Sequence, residues 1–410
     1  MDLLVRVGRQ DHLVVEQLLA PEGAGLSRVG PGPVGAVVAD AQVARERMKA
    51  LTRITAAAGA TYLIDPLTPL LQSEQPLSDS WARLPFATAA ALTPADLRQP
   101  RVIDGLVEET INFQREHGAT HLIPPYLYSE RPEDAWALAN IELLGRTAEF
   151  LNRESIGLPV IPVLAIGLPG YGPQRSWRAG LDRQLAATRA LQTEAVALSF
   201  SWNDPAHSSL ASLSYLLTAT KHAADQTPVI GWRSGLYGLA QCAAGATGYE
   251  TGMGSRETLN YRQFAASHRP QDRRGTPTQQ AYTYFTQFGR SVQRKTGQAL
   301  LSNTFLQGSL VCDPLASCCP EGVDSMLGNW RPHAVRQRAR ELRELAAMPP
   351  QAAWRLNRVS GMADRARLLA STANEVLAAA GVPAQLPVAT FEHLQQVTAQ
   401  LRDQTNRRAA

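Results

Sequence analysis

The stretch Thr227–Asn260, TPVIGWRSGLYGLAQCAAGATGYETGMGSRETLN, contains one complete unit of alternating strand and helix. Pro228–Trp232 is a short apolar run with β-branched residues, and Leu236–Ala244 has the spacing of a helix. A second candidate strand follows at Tyr249–Gly252. This order of strand, turn, helix and strand is typical of a parallel α/β sheet.

Polar side chains are concentrated just after the two strands of this stretch. In a parallel barrel, functional residues come from the carboxyl ends of the strands, so these positions are candidates for a site. They are Arg233, Ser234, Glu250, Thr251, Ser255, Arg256 and Glu257.

The same unit repeats toward the amino terminus. Apolar runs near residues 35, 61, 121, 159, 195, 228 and 248 are separated by helical segments, and an eighth strand is predicted at Ala299–Leu310. Strand–helix units of this number favour a (β/α)8 barrel, and the first strand–helix turn lacks the GxGxxG of a dinucleotide-binding fold. We therefore predict an N-terminal cap or hairpin at residues 1–33, a barrel at 34–310, and a Cys/His and helical segment at 311–410.

Side chains at the predicted strand ends would converge on one mouth of the barrel. Asp65 directly follows the apolar run YLI and could act as a general base, as a nucleophile, or as a hydrogen-bond partner for a bound ring; alternatively it caps the next segment or forms a salt bridge. Glu250 is the second candidate catalytic carboxylate. The remaining candidates for substrate binding are Tyr126, Tyr128, Asn203, Asp204, Arg233, Arg256 and Glu257.

Three cysteines and one histidine lie within 22 residues of the C-terminal segment. Cys312, Cys318, Cys319 and His333 match the Cys3His set of a structural zinc site. The adjacent pair Cys318-Cys319 is unusual for one tetrahedral ion, so one member could be a spectator. The alternative is four unrelated residues. The fourth cysteine, Cys242, lies on an apolar helix face and is expected in the core.

Positive charge is almost entirely arginine and is unevenly distributed. The net charge is +4, with only three lysines, and the segment Arg331–Ala410 alone has 12 arginines against 6 acidic residues. A second basic segment, Arg256–Lys295, is interleaved with tyrosines, a pattern that could follow a nucleic-acid backbone. Its proposed phosphate contacts are Arg273, Arg274, Arg290 and Arg294. Alternatively, these arginines only keep an exposed loop and helix in solution.

Composition excludes several classes of protein. An apolar content of 44% over 410 residues is that of a globular protein. The sequence lacks an apolar run of about 18 residues and a basic-then-apolar N-terminus, so neither a membrane span nor a secretory signal is expected. Four cysteines do not suggest a disulfide framework, and a cytoplasmic location is the default. Whether the chain forms homo- or hetero-oligomers is left open.

The C-terminal motifs resemble a known family. The order YFTQFGRSV, SLVCDPLASCC and RPHAVRQRARELREL is similar to the closing strand, zinc cluster and helix of the tRNA-guanine transglycosylases and their DNA-acting relatives. The resemblance implies exchange of a guanine base in tRNA or DNA through a carboxylate nucleophile, with structural zinc. Asp65-Pro66-Leu67-Thr68 stands nearest to the family's Asp-Ser-Gly-Gly-Phe-Gln signature, and Glu250 or Asp204 would serve as the nucleophile.

Two other functions remain open. The chain could be a catalytically silent barrel that binds nucleic acid or a protein partner. It could also be a lyase or hydrolase acting on a small molecule, with a purely structural zinc cluster. Nucleic-acid binding would distinguish the transglycosylase and the silent barrel from the small-molecule enzyme. Turnover of labelled guanine would distinguish the transglycosylase from the silent barrel.

Overall fold

The computed structural model describes residues 1–20, 34–167, 174–201, 208–254, 257–268, 281–312 and 318–409. Eight parallel strands form the central sheet, and each is almost entirely buried, which explains their near-continuous apolar runs. The strands are β1 (Asp2–Val7), β2 (Ala36–Asp40), β3 (Thr61–Asp65), β4 (Tyr128–Ser129), β5 (Val163–Gly167), β6 (Val196–Ser201), β7 (Val229–Trp232) and β8 (Gly248–Gly252).

The sheet closes into a barrel. β1 pairs with both β2 and β8, so the two ends of the strand series meet at the N-terminal strand. The other junction is made just before β4, where His121 bridges Leu63 of β3 and Leu122 bridges Val160 ahead of β5. The predicted (β/α)8 barrel with a Cys/His and helical appendage is confirmed.

Helices cover the outside of the barrel. Two of them have side-chain caps at their N-termini, where Asp134 accepts a hydrogen bond from the Ala137 N–H and Ser209 accepts one from the Ser212 N–H. The helices of the barrel region are α1 (His12–Leu19), α2 (Ala41–Ala58), α3 (Asp79–Ala82), α4 (Pro100–Glu116), α5 (Ala135–Arg153), α6 (Gln174–Thr188), α7 (Leu210–Ala224) and α8 (Gly238–Ala243).

The appendage begins after β8 with an antiparallel hairpin, β9 (Tyr282–Phe285) and β10 (Arg290–Gln293). Among the described residues, all but one of its helices contribute to a second hydrophobic core together with the hairpin, and the exception, Trp330–Ala346, places most of its buried apolar residues in the main core. The helices of the appendage are α9 (Arg294–Ser302), α10 (Thr304–Leu310), α11 (Val323–Gly328), α12 (Trp330–Ala346), α13 (Ala352–Ala379) and α14 (Val388–Ala409). None of the helices in the described part of the chain is long and apolar enough to cross a membrane.

Two strand predictions are wrong. The segment Leu3–Val7 was predicted to lie in a cap or hairpin, but it is the first barrel strand, buried between β2 and β8. The segment Ala299–Leu310 was predicted to be the eighth strand, but it belongs to α9 and α10, which the Asn303 side chain separates by capping the second helix. The barrel therefore starts about thirty residues earlier in the sequence than predicted, and its last strand is β8.

Helix α12 belongs to the barrel as well as to the appendage. It contacts β1 and α1 on one side and β9 on the other. Its inner face carries the charged residues Arg338 and Glu341, both almost fully buried. The chain thus leaves the barrel after β8, builds the hairpin and the cysteine cluster, and returns through α12.

The buried Glu341 should make stability depend on pH. Burial raises its pKa from 4.5 to about 7, although Tyr284 and Arg338 oppose that shift. A carboxyl with a raised pKa binds more protons in the folded state, so its contribution to stability falls as pH rises from about 4.5 to about 7. The free energy of unfolding of the wild type should therefore fall by up to about 3 kcal/mol over that range, and we expect Glu341→Gln to lack this fall.

Urea titrations at pH 5 and pH 8 measure this effect. Glu149→Gln is the matched control, because Glu149 lies on α5 and its side chain is 67% exposed. If the wild type and Glu341→Gln change stability equally between the two pH values, Glu341 does not titrate as described.

Candidate functional site

A fully buried arginine lies at the centre of the barrel. Arg6 is on β1, and its Nε donates to Glu250 Oε1 at 2.8 Å, while Nη2 lies 2.9 Å from Asp65 Oδ2. Its Nη1 donates to Asp40. Carboxylates of three different strands therefore surround one guanidinium, and we call Arg6, Asp40, Asp65, Arg233 and Glu250 the Arg6 cluster.

The strand register explains how these side chains meet. Asp40 and Asp65 are the last residues of β2 and β3, and they are directly paired in the sheet. β1 runs parallel between β2 and β8, so Arg6 lies between the strands that carry Asp40 and Glu250. Inward-facing residues of a barrel point at its axis, which brings the four side chains together.

Arg233 adds a second guanidinium to the cluster. It follows β7 directly, and its Nη2 lies 3.1 Å from Asp40 Oδ1 and 3.9 Å from Asp65 Oδ2. Its backbone N–H donates to Glu250 Oε2 at 2.8 Å. Its φ of 50° places it in the left-handed region, which costs a non-glycine residue about 1 kcal/mol or more. Strain of this kind is concentrated at functional sites, where surrounding contacts hold it.

Asp65 is held by donors on every side. Its Oδ1 accepts from the Tyr126 hydroxyl at 2.8 Å and from the Leu67 N–H at 3.0 Å, and its Oδ2 faces Arg6. Burial, together with the charge of Asp65, raises the pKa of Tyr126 well above its ordinary value, so its hydroxyl stays protonated. Asp65 is thus a carboxylate between a permanent cation and a permanent hydrogen-bond donor.

The charges of the cluster do not cancel. Two guanidiniums face three carboxylates, so the formal charge is 2 − 3 = −1. Burial alone lowers the pKa of Arg6, but Glu250, Asp65 and Asp40 together raise it well above its ordinary value. Arg6 therefore remains charged, and an excess carboxylate in a buried site is a suitable acceptor for a substrate proton.

Glu250 is engaged at both oxygens. Oε1 accepts from Arg6, Oε2 accepts from the Arg233 N–H, and the side chain is fully buried. In this arrangement it orients Arg6 and Arg233, and an attack on a substrate would first require these hydrogen bonds to open.

Of the predicted site residues, Asp65, Tyr126, Arg233 and Glu250 come together in the cluster. Glu257 does not join it, because its Oε1 pairs with Arg338 Nη2 at 2.8 Å and accepts from Ser291 Oγ at 2.8 Å. It connects the segment after β8 to β10 and α12 instead. The predicted residues Asn203, Asp204 and Arg256 lie outside the described residues.

Sequence reasoning missed Arg6 and Asp40. Both carried a signal, since each is a charged residue in or at the end of an otherwise apolar strand, LLVRV and AVVAD. A buried charge in such a run is rare unless it is paired.

The aromatic residues beside the cluster form a second layer. The Tyr261 hydroxyl donates to Ser199 Oγ on β6 at 2.9 Å, and its ring stacks on Tyr128 with centroids 5.0 Å apart. Phe264 lies under the Arg233 guanidinium, 5.6 Å from ring centroid to Cζ. The predicted site residue Tyr128 therefore supports Tyr261 at the edge of the cluster.

The four predicted metal ligands meet in the appendage. The ligand atoms of Cys312, Cys318, Cys319 and His333 all lie within 4.8 Å of one another. Cys318 Sγ is 3.6 Å from Cys312 Sγ and 3.7 Å from Cys319 Sγ, and His333 Nδ1 is 3.4 Å from Cys312 Sγ and 3.2 Å from Cys319 Sγ.

These separations fit one tetrahedral ion. Metal–sulfur and metal–nitrogen bonds of about 2.3 and 2.1 Å at tetrahedral angles imply about 3.8 Å between two sulfurs and about 3.6 Å between sulfur and nitrogen. Both adjacent cysteines reach the same point, so neither has to be a spectator. The Cys3His cluster could therefore hold a metal ion.

Groups around the cluster fix the orientation of its ligands. His333 Nε2 lies 2.8 Å from the Tyr284 carbonyl oxygen, which leaves Nδ1 free to face the sulfurs. Gln337 Nε2 donates to Cys318 Sγ at 2.9 Å and to Cys312 Sγ at 3.3 Å. The thiols of Cys312 and Cys319 lower the pKa of Cys318, which favours a thiolate. Such outer contacts are typical of protein metal sites.

The predicted phosphate contacts are only partly described. Arg290 is half-buried on β10, and Arg294 is the exposed first residue of α9. Arg273 and Arg274 lie outside the described residues.

Comparisons with known proteins give likenesses in fold alone. No family model and no curated protein matches the chain. A type I 3-dehydroquinate dehydratase from Clostridium difficile aligns at 8% identity and a TM-score of 0.36 over 65% of this chain and 89% of that one. The YdjI aldolase of Escherichia coli K12 aligns at 12% identity and a TM-score of 0.37 over 86% of this chain and 93% of that one. The carboxyl transferase domain of Rhizobium etli pyruvate carboxylase aligns at 11% identity and a TM-score of 0.35 over 97% of this chain and 62% of that one.

Proposed function

We propose that the chain is a barrel enzyme, a lyase or hydrolase, that performs acid–base chemistry on a small polar molecule at the Arg6 cluster. The observation that supports this is the setting of Asp65, a buried carboxylate between Arg6 and the Tyr126 hydroxyl at the carboxyl end of β3. Sites of (β/α)8 enzymes are built at that end of the barrel.

Each member of the cluster has a defined role in this proposal. Asp65 accepts a proton from the substrate, because its Oδ2 makes an ion pair with Arg6 but no aligned hydrogen bond. Arg233 binds the negative charge that develops on a substrate oxygen, since its Nε has no hydrogen-bond partner among the described residues. Asp40 and Glu250 position the two guanidiniums.

Proton abstraction can be tested without knowing the product. The purified protein is incubated in D2O with 2-oxo acids, aldoses and ketoses, and deuterium incorporation is followed by proton NMR. We expect exchange with the wild type and a loss of about 10²- to 10⁴-fold in Asp65→Asn, the usual contribution of a general base.

Glu194→Gln is the control for this assay. Glu194 is an exposed carboxylate that pairs with His121 at the amino-terminal end of the strands, away from the cluster. An Asp65→Asn variant that exchanges as fast as wild type, or a folded wild type that is inert toward the whole panel, would contradict the assignment.

A second candidate is base exchange in tRNA or DNA, with Asp65 as base and Glu250 as nucleophile. After the barrel, the chain forms the hairpin, then the Cys3His cluster, then α12. This is the order that the family resemblance implies, and it supports base exchange as a candidate. Here Glu250 would have to release Arg6 and the Arg233 N–H when the nucleic acid binds. Incorporation of labelled guanine into tRNA or DNA, lost in Asp65→Asn, is the expected result; binding without incorporation favours the silent barrel.

Nucleic-acid binding by this candidate should depend on salt. Each phosphate contact contributes a slope of about −0.7 to log affinity against log salt on a single strand. We expect Arg294→Ala to reduce the magnitude of that slope, and the Arg273→Ala/Arg274→Ala double variant to reduce it further. Arg153→Ala on α5 is the control, because Arg153 is 62% exposed but lies outside the two basic segments. Equal slopes in all variants would mean that these arginines only solubilise the surface.

We also propose that the ion of the Cys3His cluster is zinc and that it is structural. Three thiolates and one imidazole, with each position filled by the protein, leave no open coordination site for substrate. The described cysteines form no disulfide, which suits a reducing compartment and supports a cytoplasmic location.

A further inference from the structure

A cavity lies between the barrel and the appendage, separate from the Arg6 cluster. It encloses about 470 Å3 of empty space, part of it open to solvent, and is bounded by β8, the hairpin β9–β10 and the helices α12, α13 and α14. Most of its wall is apolar, with the aromatic residues Tyr249, Tyr284, Phe288 and Phe391. We call it the α12 cavity.

One carboxylate oxygen in this wall lacks a partner. Glu341 lines the cavity and is only 6% exposed. Its Oε2 accepts from the Tyr284 hydroxyl at 2.7 Å, but Oε1 has no hydrogen bond among the described residues. A buried acceptor without a partner costs about 1–3 kcal/mol. A group that fills the cavity and donates to Oε1 would recover that cost.

Arg338 supplies the complementary atom. It lines the same cavity, and its guanidinium is held by the Gly235 carbonyl oxygen, 3.1 Å from Nη1, and by Glu257, 2.8 Å from Nη2. Its Nε has no hydrogen-bond partner among the described residues. The wall therefore offers one unused acceptor and one unused donor in an apolar setting.

A hydroxyl group is suited to both atoms, because it donates one hydrogen bond, which Oε1 lacks, and accepts others, which Nε lacks. Arg338 forms an ion pair with Glu257, and its charge also acts on Glu341, so the wall already carries charges of both signs and favours a neutral ligand over a charged one. We propose that the α12 cavity is a binding site for a neutral, mainly apolar small molecule with one hydroxyl end, held by Glu341 Oε1 and Arg338 Nε.

The site is distinct from the proposed reaction site. Arg338 contacts Gly235 and Glu257, which follow β7 and β8, but the cavity wall contains no member of the Arg6 cluster. A ligand here is therefore expected to bind even when Asp65 is replaced.

The test uses 4-fluorobenzyl alcohol and 4-fluorotoluene, which differ only in the hydroxyl group, with binding to the intact protein followed by fluorine NMR at pH 8. We expect the wild type to bind the alcohol at least about tenfold more tightly, the factor that one net hydrogen bond supplies. Glu341→Met should abolish this preference, and Glu344→Met, the same change one turn away on the exposed face of α12, should retain it.

A second variant tests the cavity itself without touching the buried charges. Ala363 on α13 lines the cavity, and Ala363→Leu would fill part of it, so both compounds should bind at least about tenfold more weakly. Thermal unfolding confirms that each variant is folded. The proposal is overturned if the wild type binds neither compound, if it binds both equally so that Oε1 is satisfied by water alone, or if Glu341→Met or Ala363→Leu binds as the wild type does.

Discussion

Arg6→Met is expected to lower the free energy of unfolding by about 3–5 kcal/mol or more, the cost of breaking a buried ion pair by removing one partner. Within the described residues, only the Arg6 guanidinium makes ion pairs with Asp40, Asp65 and Glu250 together, since Arg233 reaches Glu250 through its backbone N–H. Without it, Arg233 alone would face three buried carboxylates, and the formal charge of the cluster would be −2. The carboxylates would then have to bind protons or draw water into the barrel.

Urea denaturation at pH 7 measures this loss, and repeating it at pH 5 adds a second check. Protonation of an uncompensated carboxylate relieves the repulsion, so the variant should recover part of its stability at the lower pH. Arg53→Met is the control, because Arg53 makes an exposed pair with Glu16, and exposed pairs contribute about 0–1 kcal/mol. Equal losses in the two variants would show that the Arg6 cluster does not hold the barrel together.

Loss of the metal is expected to unfold much of the appendage. Metal binding couples to folding because the ligands converge only in the folded state, and structural zinc sites contribute about 10–16 kcal/mol of apparent binding free energy in small peptides. Cys318 and Cys319 are also part of the second hydrophobic core, together with residues of α9, α10 and α13. We expect near-stoichiometric zinc in the wild type by elemental analysis, and its loss in Cys312→Ser and Cys319→Ser.

Limited proteolysis then locates the damage. The cysteine variants, or the wild type treated with a chelator, should be cut within the appendage while the barrel resists. Cys242→Ala is the matched control, because Cys242 is a buried cysteine outside the cluster. The Cys242→Ala variant should lose some stability, because the smaller side chain leaves a cavity, but it should keep its zinc. A wild type without metal, or cysteine variants as resistant as wild type, would exclude a structural metal.

Local patterns predicted much of the fold. β2, β3 and β5 to β7 were visible because each is a short apolar run bounded by turn residues, and β8 because it follows a glycine-containing break after a helix. The intervening helices were visible because their apolar residues recur at helical spacing. The Cys3His cluster, which could hold a metal ion, was also local, since its four residues lie within 22 positions of one another. Asp65, Tyr126 and Arg233 were found because a polar residue after a buried strand reaches the mouth of a barrel.

The strand that closes the barrel was not predictable in this way. β1 is one short run at the amino terminus, and nothing near it in sequence distinguishes a barrel strand from a hairpin. Its role depends on pairing with β8, about 240 residues later. For the same reason the sequence predicted α12 only as part of a C-terminal appendage, whereas the helix packs on β1 as well as on the hairpin.

The sequence by itself determined the strand–helix alternation and the Cys3His cluster, because both depend on residues close together in the chain. Only the tertiary structure decided that Arg6 and Glu250, 244 residues apart, share a hydrogen bond, and that Asp40 and Arg233 belong to the same buried cluster. Closure of the sheet brings the inward side chains of distant strands to one axis, and a buried arginine is stable there only because three carboxylates reach it from three strands.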